Sequence, residues 1–239
     1  MSFSDKLTKG IKAGPRRTFL YGSHGIGKST WASKWPNPVF ICTEDGTDDL
    51  DVTRTGVLES SLEIVSTIKE AAQSEFSTIV LDSIDWTEKL IAEDLVAEDF
   101  QTGYGQGVIE QARRIGIVLG ALGECVSAGK DVVLLGHATT TTVTTPFGDG
   151  YTQYHPRLSR HSCAVVSEWC DELLFARQVV SSKQKEIGLK KVNVAVDAKK
   201  RVLYTEGSAA FVAKHRAAKL AAQYDLSDFG SYYNDLRGN

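Results

Sequence analysis

The sequence predicts an α/β protein with a mostly parallel central sheet flanked by helices. Short apolar runs with the composition of buried strands alternate along the chain with segments of helical periodicity. Strands that alternate with helices indicate a parallel sheet covered on both faces. A glycine-rich loop over residues 22–29 separates the first such strand from the first helix, and two β-prone runs near residue 200 predict a C-terminal β-hairpin.

The first half of the chain supplies three predicted strands, each followed by a helical segment. In the second helix Leu62, Val65, Ile68 and Ala72 recur on one face, as they do on helices that cover a sheet. In chain order we expect a strand at 17–21, a helix at 30–35, a strand at 38–43, an acidic loop at 44–49, a helix at 62–74, a strand at 78–83 and a helix at 86–100.

The second half predicts two more core strands and a long loop. We expect a glycine-rich break at 100–107, a helix at 108–128, a strand at 131–137, a polar loop at 138–161, a strand at 171–176, and a hairpin of 192–196 with 201–204 around 197–200. Loops of this length in compact domains are usually functional or disordered. The expected organisation is a lead-in at 1–15, a core domain at 16–222 and a C-terminal tail with a helix at 223–239.

Composition narrows the class of protein. The chain has 239 residues, of which 42% are hydrophobic and 24% charged, as in ordinary soluble domains. No apolar run approaches the roughly 20 residues of a membrane span, and the N-terminus has no apolar signal core, so we expect a cytoplasmic protein. The four cysteines form no CxxC pair and are expected to be reduced core residues. A formal net charge of −3 argues mildly against binding nucleic acid by bulk charge alone.

A complete G-x-x-x-x-G-K-[ST] motif fixes the expected ligand as a nucleotide phosphate chain. The backbone N–H groups of such a loop cradle the phosphates, and the following helix adds its positive dipole end. Lys28 is expected to reach the β- and γ-phosphates, and the Ser29 hydroxyl to bind Mg²⁺. The expected nucleotide-binding residues are Gly22, Ser23, His24, Gly25, Ile26, Gly27, Lys28, Ser29 and Thr30.

Polar residues end three of the apolar runs. Asp82, expected beside the phosphate-loop strand, has the position of a Walker B carboxylate that holds Mg²⁺, although it could instead cap the next helix. Glu44 could orient the attacking water, or belong to a solvated acidic loop with its neighbours. His137 could sense the γ-phosphate and pass that state to the following loop, or be a partly buried polar residue.

Two further groups carry weaker signals. Lys214 and Arg216 could be cationic fingers that reach the γ-phosphate of a neighbouring subunit, or lie on a solvated helical face. Aromatic and basic residues in or beside the glycine-rich loops could stack on bases and contact phosphates of single-stranded DNA, or pack on the protein itself. These candidate DNA-binding residues are Tyr104, Tyr151, Tyr154, Arg157 and Arg160.

The order of these motifs resembles the core of RecA-like P-loop ATPases. The resemblance runs from the 22–29 loop through residues 40–44 and 79–83 to 134–137, and spans roughly residues 15–220. More closely, the segments 103–107, 133–138 and 205–216 are similar to phage AAA-type ATP-binding proteins, some of which act with single-strand annealing and recombination systems. The resemblance implies Glu44 as the catalytic glutamate, His137 in place of the usual polar sensor, and Lys214 with Arg216 as a finger pair acting in trans.

The function implied is a Mg²⁺-dependent ATPase that binds ATP and ADP and forms a homo-oligomer. It would act on single-stranded DNA, with a single-strand annealing or single-strand binding protein as possible partner, in the host cytoplasm if phage-encoded. One alternative is a nucleotide-switched, non-enzymatic scaffold in a replication or packaging complex. Another is a P-loop small-molecule kinase, although the chain has no Arg-rich lid, only scattered arginines at positions 113, 114, 157 and 160.

Overall fold

The computed structural model describes residues 14–100, 103–145, 148–187 and 190–238, together with Leu7 and Lys9. Strands and helices alternate through most of this range, and a single 3₁₀ turn spans Gly103–Gly105. In chain order the elements are β1 (Arg17–Gly22), α1 (Lys28–Ala32), β2 (Pro38–Cys42), β3 (Thr53–Val57), α2 (Ser61–Ala72), β4 (Thr78–Asp82), α3 (Ile84–Ala97), α4 (Gln106–Ser127), β5 (Asp131–Thr145), β6 (Gly148–Pro156), α5 (Arg160–Trp169), β7 (Glu172–Ile187), β8 (Lys190–Tyr204), β9 (Gln223–Asp225) and α6 (Phe229–Arg237).

The described strands form one sheet in the order β3-β2-β4-β5-β1-β7-β8-β9, and β6 pairs with the distal half of β5. From β3 to β7 neighbouring strands are parallel. The pairs β7–β8, β8–β9 and β5–β6 are antiparallel. The structure therefore confirms the predicted α/β fold with its mostly parallel sheet. The C-terminal hairpin is formed by β7 and β8, whereas both strands of the predicted hairpin, 192–196 and 201–204, lie within β8.

Helices cover the sheet on both faces because alternate strand residues point in opposite directions. Phe19 and Tyr21 of β1 belong to one buried cluster, which includes residues of α2, α3, α4 and α5. Leu20 of β1 belongs to the other cluster, which includes Trp31 of α1 and residues of α6. Burial on both faces explains the continuous apolar runs from which the strands were predicted. None of the helices in the described part of the chain combines the length and hydropathy that a bilayer span requires.

The expectation of a long polar loop at 138–161 is wrong. Residues 138–145 continue β5 without interruption and pair with β6, and α5 begins at Arg160. The threonine-rich segment favours this extension, since β-branched residues pack well on a pleated surface. The hairpin so formed begins at the residue after His137.

The predicted turn at 197–200 is also wrong, because these residues lie inside β8. Asp197 pairs with Val180 and Arg201 with Gln178, so one residue of β7 faces three residues of β8 between these pairs. Although its composition is typical of a turn, the segment forms a β-bulge. Three further elements, β3, α5 and β9, were not predicted.

The sequence predicts that residues 223–239 form a tail outside the core. In the structure, the described residues of this segment pack on the core. β9 extends the sheet beside β8, and α6 packs on α1. Phe229, Tyr232 and Trp31 are buried in contact with one another. How far residues 16–222 form a folding unit without this segment stays a prediction.

Candidate functional site

The glycine-rich loop connects the carboxyl end of β1 to the start of α1. Gly25 and Gly27 have φ of 70° and 104°, in the region that side chains with a Cβ rarely adopt. A Cβ on Gly22 would lie 2.5 Å from the carbonyl oxygen of Ala176 on β7. The loop therefore depends on glycine for conformation at two positions and for space at the third.

A cavity of about 340 Å³ opens beside this loop, at the carboxyl ends of the parallel strands. Such a cleft is where ligands bind in open α/β sheets. Residues after β2, at the end of β4 and within β5 share the cavity with the loop. Its lining comprises His24, Gly25, Gly27, Lys28, Ser29, Thr30, Glu44, Asp45, Gly46, Asp49, Leu50, Asp82 and His137.

Ser29 and Asp82 meet across this cavity. The Ser29 hydroxyl donates a hydrogen bond of 2.7 Å to Oδ2 of Asp82. The expectation that the Asp82 strand lies directly beside β1 is wrong, because β5 is inserted between β4 and β1. The side chains bridge that gap from strand ends that share one edge of the sheet. Burial raises the pKa of Asp82, the nearby Glu44 charge raises it further, and the Ser29 hydrogen bond opposes both.

The donor chemistry at this point fits Mg²⁺. Hydroxyl and carboxylate oxygens are the ligands that magnesium takes together with phosphate oxygens and water. A buried carboxylate near a second carboxylate is also a place where a cation is stabilised. Within the described residues no group of three or more His, Cys, Asp and Glu side chains forms a self-sufficient metal site. Ser29 and Asp82 would therefore hold the cation jointly with the phosphates.

Glu44 is held toward the cavity by the end of β4. The Thr43 hydroxyl donates to the Ser83 carbonyl at 2.9 Å and accepts from the Ser83 N–H at 2.8 Å, which ties the end of β2 to the end of β4. The Ser83 hydroxyl in turn donates to Oε1 of Glu44 at 2.7 Å. These bonds fix the carboxylate in the same cavity as Ser29 and Asp82.

His137 lies on the strand between β1 and β4. It is the register partner of Gly22, so it stands directly beside the start of the loop. Its Nδ1 is 2.9 Å from Oδ2 of Asp85, and the His24 ring stacks on it with centroids 3.8 Å apart. Arg157 also binds Oδ2 of Asp85, through Nε at 2.9 Å and through Nη2. Burial alone would raise the pKa of Asp85, but hydrogen bonds and charges from His137 and Arg157 hold it below its usual value.

Lys28 is folded back on the loop. Its Nζ donates to the carbonyl oxygens of Ser23 at 3.2 Å and Gly22 at 3.4 Å. Burial lowers the pKa of this lysine, against the opposing pull of Asp82 and the other nearby carboxylates. A cation kept buried against carbonyl groups is available to an incoming phosphate.

A family model described as an AAA domain matches residues 14–217, most of the chain. The chain belongs to this AAA domain family. It is therefore an AAA-type, nucleotide-binding P-loop protein of a family of ATPases. None of the curated proteins matches the chain.

The predicted finger residues lie far from the loop of their own AAA domain. Lys214 pairs through its backbone with Leu173, near the start of β7. Arg216 donates to Oδ1 of Asp171 at 3.1 Å and to the Glu168 carbonyl at 3.2 Å. Asp171 also binds Arg17, the first residue of β1, whereas the loop follows the last residue of that strand. The fold thus places Arg216 at the opposite end of β1 from the loop, whereas Lys214 is level with Phe19 in the middle of that strand.

The predicted DNA-binding residues are distributed around the β5–β6 hairpin of the AAA domain. Tyr151 and Tyr154 lie on β6 with 37% and 39% of their surface exposed. Tyr154 nevertheless stacks on Phe175 at 5.2 Å between centroids, so one of its faces is committed to the core. Arg157 follows β6 and binds Asp85, Arg160 begins α5, and Tyr104 lies in the 3₁₀ turn before α4.

Sequence reasoning missed three supporting residues of this AAA domain. Thr43 and Ser83 position Glu44, and Asp85 binds His137. Their signal is position alone, since Thr43 precedes Glu44 and Ser83 follows Asp82. Arg201 was missed as well. It reaches the loop from β8, where it donates to the Ile26 carbonyl at 3.0 Å.

Proposed function

We propose that this AAA domain is a Mg²⁺-dependent ATPase whose catalytic glutamate is Glu44. The observation that carries the proposal is the convergence of Ser29 at the start of α1, Asp82 at the end of β4 and Glu44 after β2 on one cavity beside the loop. An oxygen pair suited to a cation next to a separately held carboxylate is the arrangement that hydrolysis of a phosphoanhydride by water requires.

Each side chain then has a distinct role. Lys28 exchanges its bonds to the Gly22 and Ser23 carbonyls for bonds to phosphate oxygens, and the loop N–H groups bind the rest of the chain of phosphates. Bound Mg²⁺ supplies positive charge that neutralises phosphate oxygens. Glu44, oriented by Ser83, accepts a hydrogen bond from the attacking water. His137 uses Nδ1 toward Asp85, which leaves Nε2 as the nitrogen that contacts the terminal phosphate.

Replacement of Glu44 by Gln tests the catalytic role. We expect Glu44→Gln to lower ATP turnover about 100-fold or more, because water activation of this kind contributes 10²- to 10⁴-fold, with ATP affinity nearly unchanged. Asp48→Asn is the matched control, since Asp48 lies in the same acidic loop, is 77% exposed and pairs with Arg54. Steady-state hydrolysis and fluorescent-nucleotide binding are measured on both variants. Undiminished turnover in Glu44→Gln would instead favour the nucleotide-switched scaffold.

We further propose that the β5–β6 hairpin binds single-stranded DNA and that hydrolysis responds to it. The hairpin begins one residue after His137, and exposed tyrosines on β6 are suited to stacking on bases. Tyr104, Arg157 and Arg160 would add contacts. This activity would serve phage recombination, annealing or replication in a bacterial cytoplasm, with a single-strand annealing or binding protein as partner. Oligonucleotides that neither bind nor stimulate hydrolysis would overturn this part.

Lys214 and Arg216 are proposed to complete the active site of a neighbouring subunit in a homo-oligomer. Support comes from their distance from their own loop and from the exposure of Arg216, whose side chain is 53% accessible. Arginine fingers that enter in trans stabilise transition-state charge. A P-loop kinase remains the other alternative, and it would show ATP turnover only in the presence of an acceptor molecule.

A further inference from the structure

Arg201 is a cation on β8, and its side chain is held against the phosphate loop. Its Nη1 donates to the Ile26 carbonyl at 3.0 Å, and a Cβ on Gly27 would lie 2.8 Å from the same nitrogen. The Arg201 residue is exposed, and this hydrogen bond uses one of its five N–H donors. The guanidinium therefore lies in direct contact with the loop.

The fold fixes Arg201 in this place from two sides. The bulge opposite Val179 resets the register of β8 just before Arg201. On the other side Leu226 donates its N–H to the Arg201 carbonyl at 3.0 Å, at the start of the β8–β9 pairing. Leu203, two residues along and on the same face of β8, packs in the same core cluster as Ile26. The pairing of β8 with its neighbouring strands, and not an unpaired segment, therefore directs the Arg201 side chain toward the phosphate loop.

Strand order tells which part of a nucleotide would meet Arg201. Glu44 follows β2, Asp82 ends β4 and His137 lies within β5, all on one side of β1, and these residues define the terminal-phosphate end. Arg201 stands on β8, two strands away on the other side of β1. A nucleotide laid along the loop with its terminal phosphate toward Glu44 would direct its base toward β7 and β8.

An arginine beside this loop could contact either the phosphates or the base of a nucleotide, and the two contacts require different sides of the loop. The N–H groups of a phosphate loop face the phosphates, whereas Arg201 binds the carbonyl of Ile26. A guanidinium on the carbonyl side is poorly placed to share the phosphates but presents a planar face beside them. Guanidinium planes stack on aromatic rings and attract them through cation–π interaction.

We propose that Arg201 forms the base-binding end of the nucleotide site, where its guanidinium stacks on the purine ring. This inference rests on the proposed ATP site but not on the hydrolytic role of Glu44. It assigns to the bulged strand β8 a direct part in recognising nucleotides. It also explains why the loop approaches β8 at a glycine, since a side chain at position 27 would displace the guanidinium.

The test compares ATP with inorganic tripolyphosphate, which has the phosphates but no base. Affinities of both ligands in Mg²⁺ are measured by calorimetry for the wild type, Arg201→Gln, Arg201→Lys and Lys200→Gln. We expect Arg201→Gln to weaken ATP about tenfold and to leave tripolyphosphate unchanged. Arg201→Lys keeps the charge but not the plane, and should recover little of the ATP affinity. Lys200→Gln, which removes the adjacent exposed cation, should match the wild type.

Two results would overturn the inference. Equal weakening of ATP and tripolyphosphate by Arg201→Gln would mean that Arg201 only holds the loop in shape. Unchanged affinity for both ligands would mean that it has no part in binding. The outcome is independent of catalysis, because a wild type that binds ATP with the expected dependence on Arg201 but does not hydrolyse it would refute the ATPase proposal alone. Thermal unfolding of each variant verifies that it is folded.

Discussion

Gly22 and Gly27 are required in the phosphate loop for different physical reasons. Gly22 faces the Ala176 carbonyl at a distance that no Cβ could tolerate, so its constraint is space within the sheet. Gly27 combines a φ of 104° with the neighbouring Arg201 guanidinium, so both its backbone and its surroundings exclude a side chain. The first constraint belongs to the fold, and the second belongs to the binding site.

At the residue scale we therefore predict that Gly27→Ala impairs nucleotide binding more than folding. Strain at a positive φ costs about 1–3 kcal/mol, and the added Cβ would push Arg201 from its place. We expect ATP affinity to fall at least tenfold, with a modest loss in the free energy of unfolding. Urea denaturation and ATP titration measure the two effects. Gly56→Ala on β3, where nothing lies within 4 Å, should change neither, and wild-type affinity in Gly27→Ala would contradict the prediction.

The sequence identified residues that line the cavity but not those that position them. Ser29, Glu44, Asp82 and His137 were found because a motif or the end of an apolar run marks them, and all four line one cavity. Their roles stay predictions. Thr43, Ser83 and Asp85 act through hydrogen bonds between strands that are distant in the chain. No local sequence pattern predicts such bonds, because they depend on which elements become neighbours in the fold.

At the element scale, α1 is supported laterally by the C-terminal helix. Trp31 contacts Phe229 and Tyr232 at 5.4 and 5.2 Å between ring centroids, and Trp35 contacts Tyr233 at 5.5 Å. Because α1 begins within the phosphate loop, at Lys28, packing at its back steadies the residues that face the nucleotide.

We predict that Tyr232→Ala destabilises the protein and weakens ATP binding together. Truncation of a fully buried aromatic side chain costs about 3–5 kcal/mol through lost burial and the cavity that remains. Tyr232→Phe keeps the ring and should stay within about 1 kcal/mol of the wild type. Denaturant unfolding and ATP titration provide the comparison. A Tyr232→Ala protein of wild-type stability would show that α6 does not support the core.

Two segments were mispredicted because their composition is typical of loops or turns, although both lie in paired strands. The threonine-rich segment after His137 looked like a loop, yet it pairs with β6 once that strand is present. The Asp-Ala-Lys-Lys stretch at 197–200 looked like a turn, yet the pairing of β7 with β8 absorbs it as a bulge. In both cases long-range pairing overrode a local turn preference, whereas the parallel core strands were predictable because burial on both faces leaves a continuous apolar run.

At the scale of the whole molecule, we predict that active sites are completed between subunits. If Arg216 acts in trans, Arg216→Ala should lower turnover by 10³-fold or more while ATP binding stays near that of the wild type. A mixture of Arg216→Ala with Glu44→Gln should then recover activity, because an intact Glu44 can meet an intact Arg216 across a subunit boundary. Hydrolysis is measured for each variant alone and for the mixture.

The matched control for this experiment is Arg113→Ala, which removes another exposed arginine, 60% accessible and paired with Glu110. It should leave turnover unchanged. Full activity of Arg216→Ala alone, or an inactive mixture of folded variants, would exclude completion in trans by this residue.

The single strand β5 runs from the centre of the sheet into the hairpin, with His137 at the place where its neighbours change from β1 and β4 to β6. No hinge loop separates the buried half from the projecting half. A hydrogen-bonded ribbon of this kind is stiff along its length, so it acts as a lever whose fulcrum is the histidine. A load applied to the projecting arm is therefore delivered mechanically to the His137 ring, and a shift of that ring tilts the arm in return.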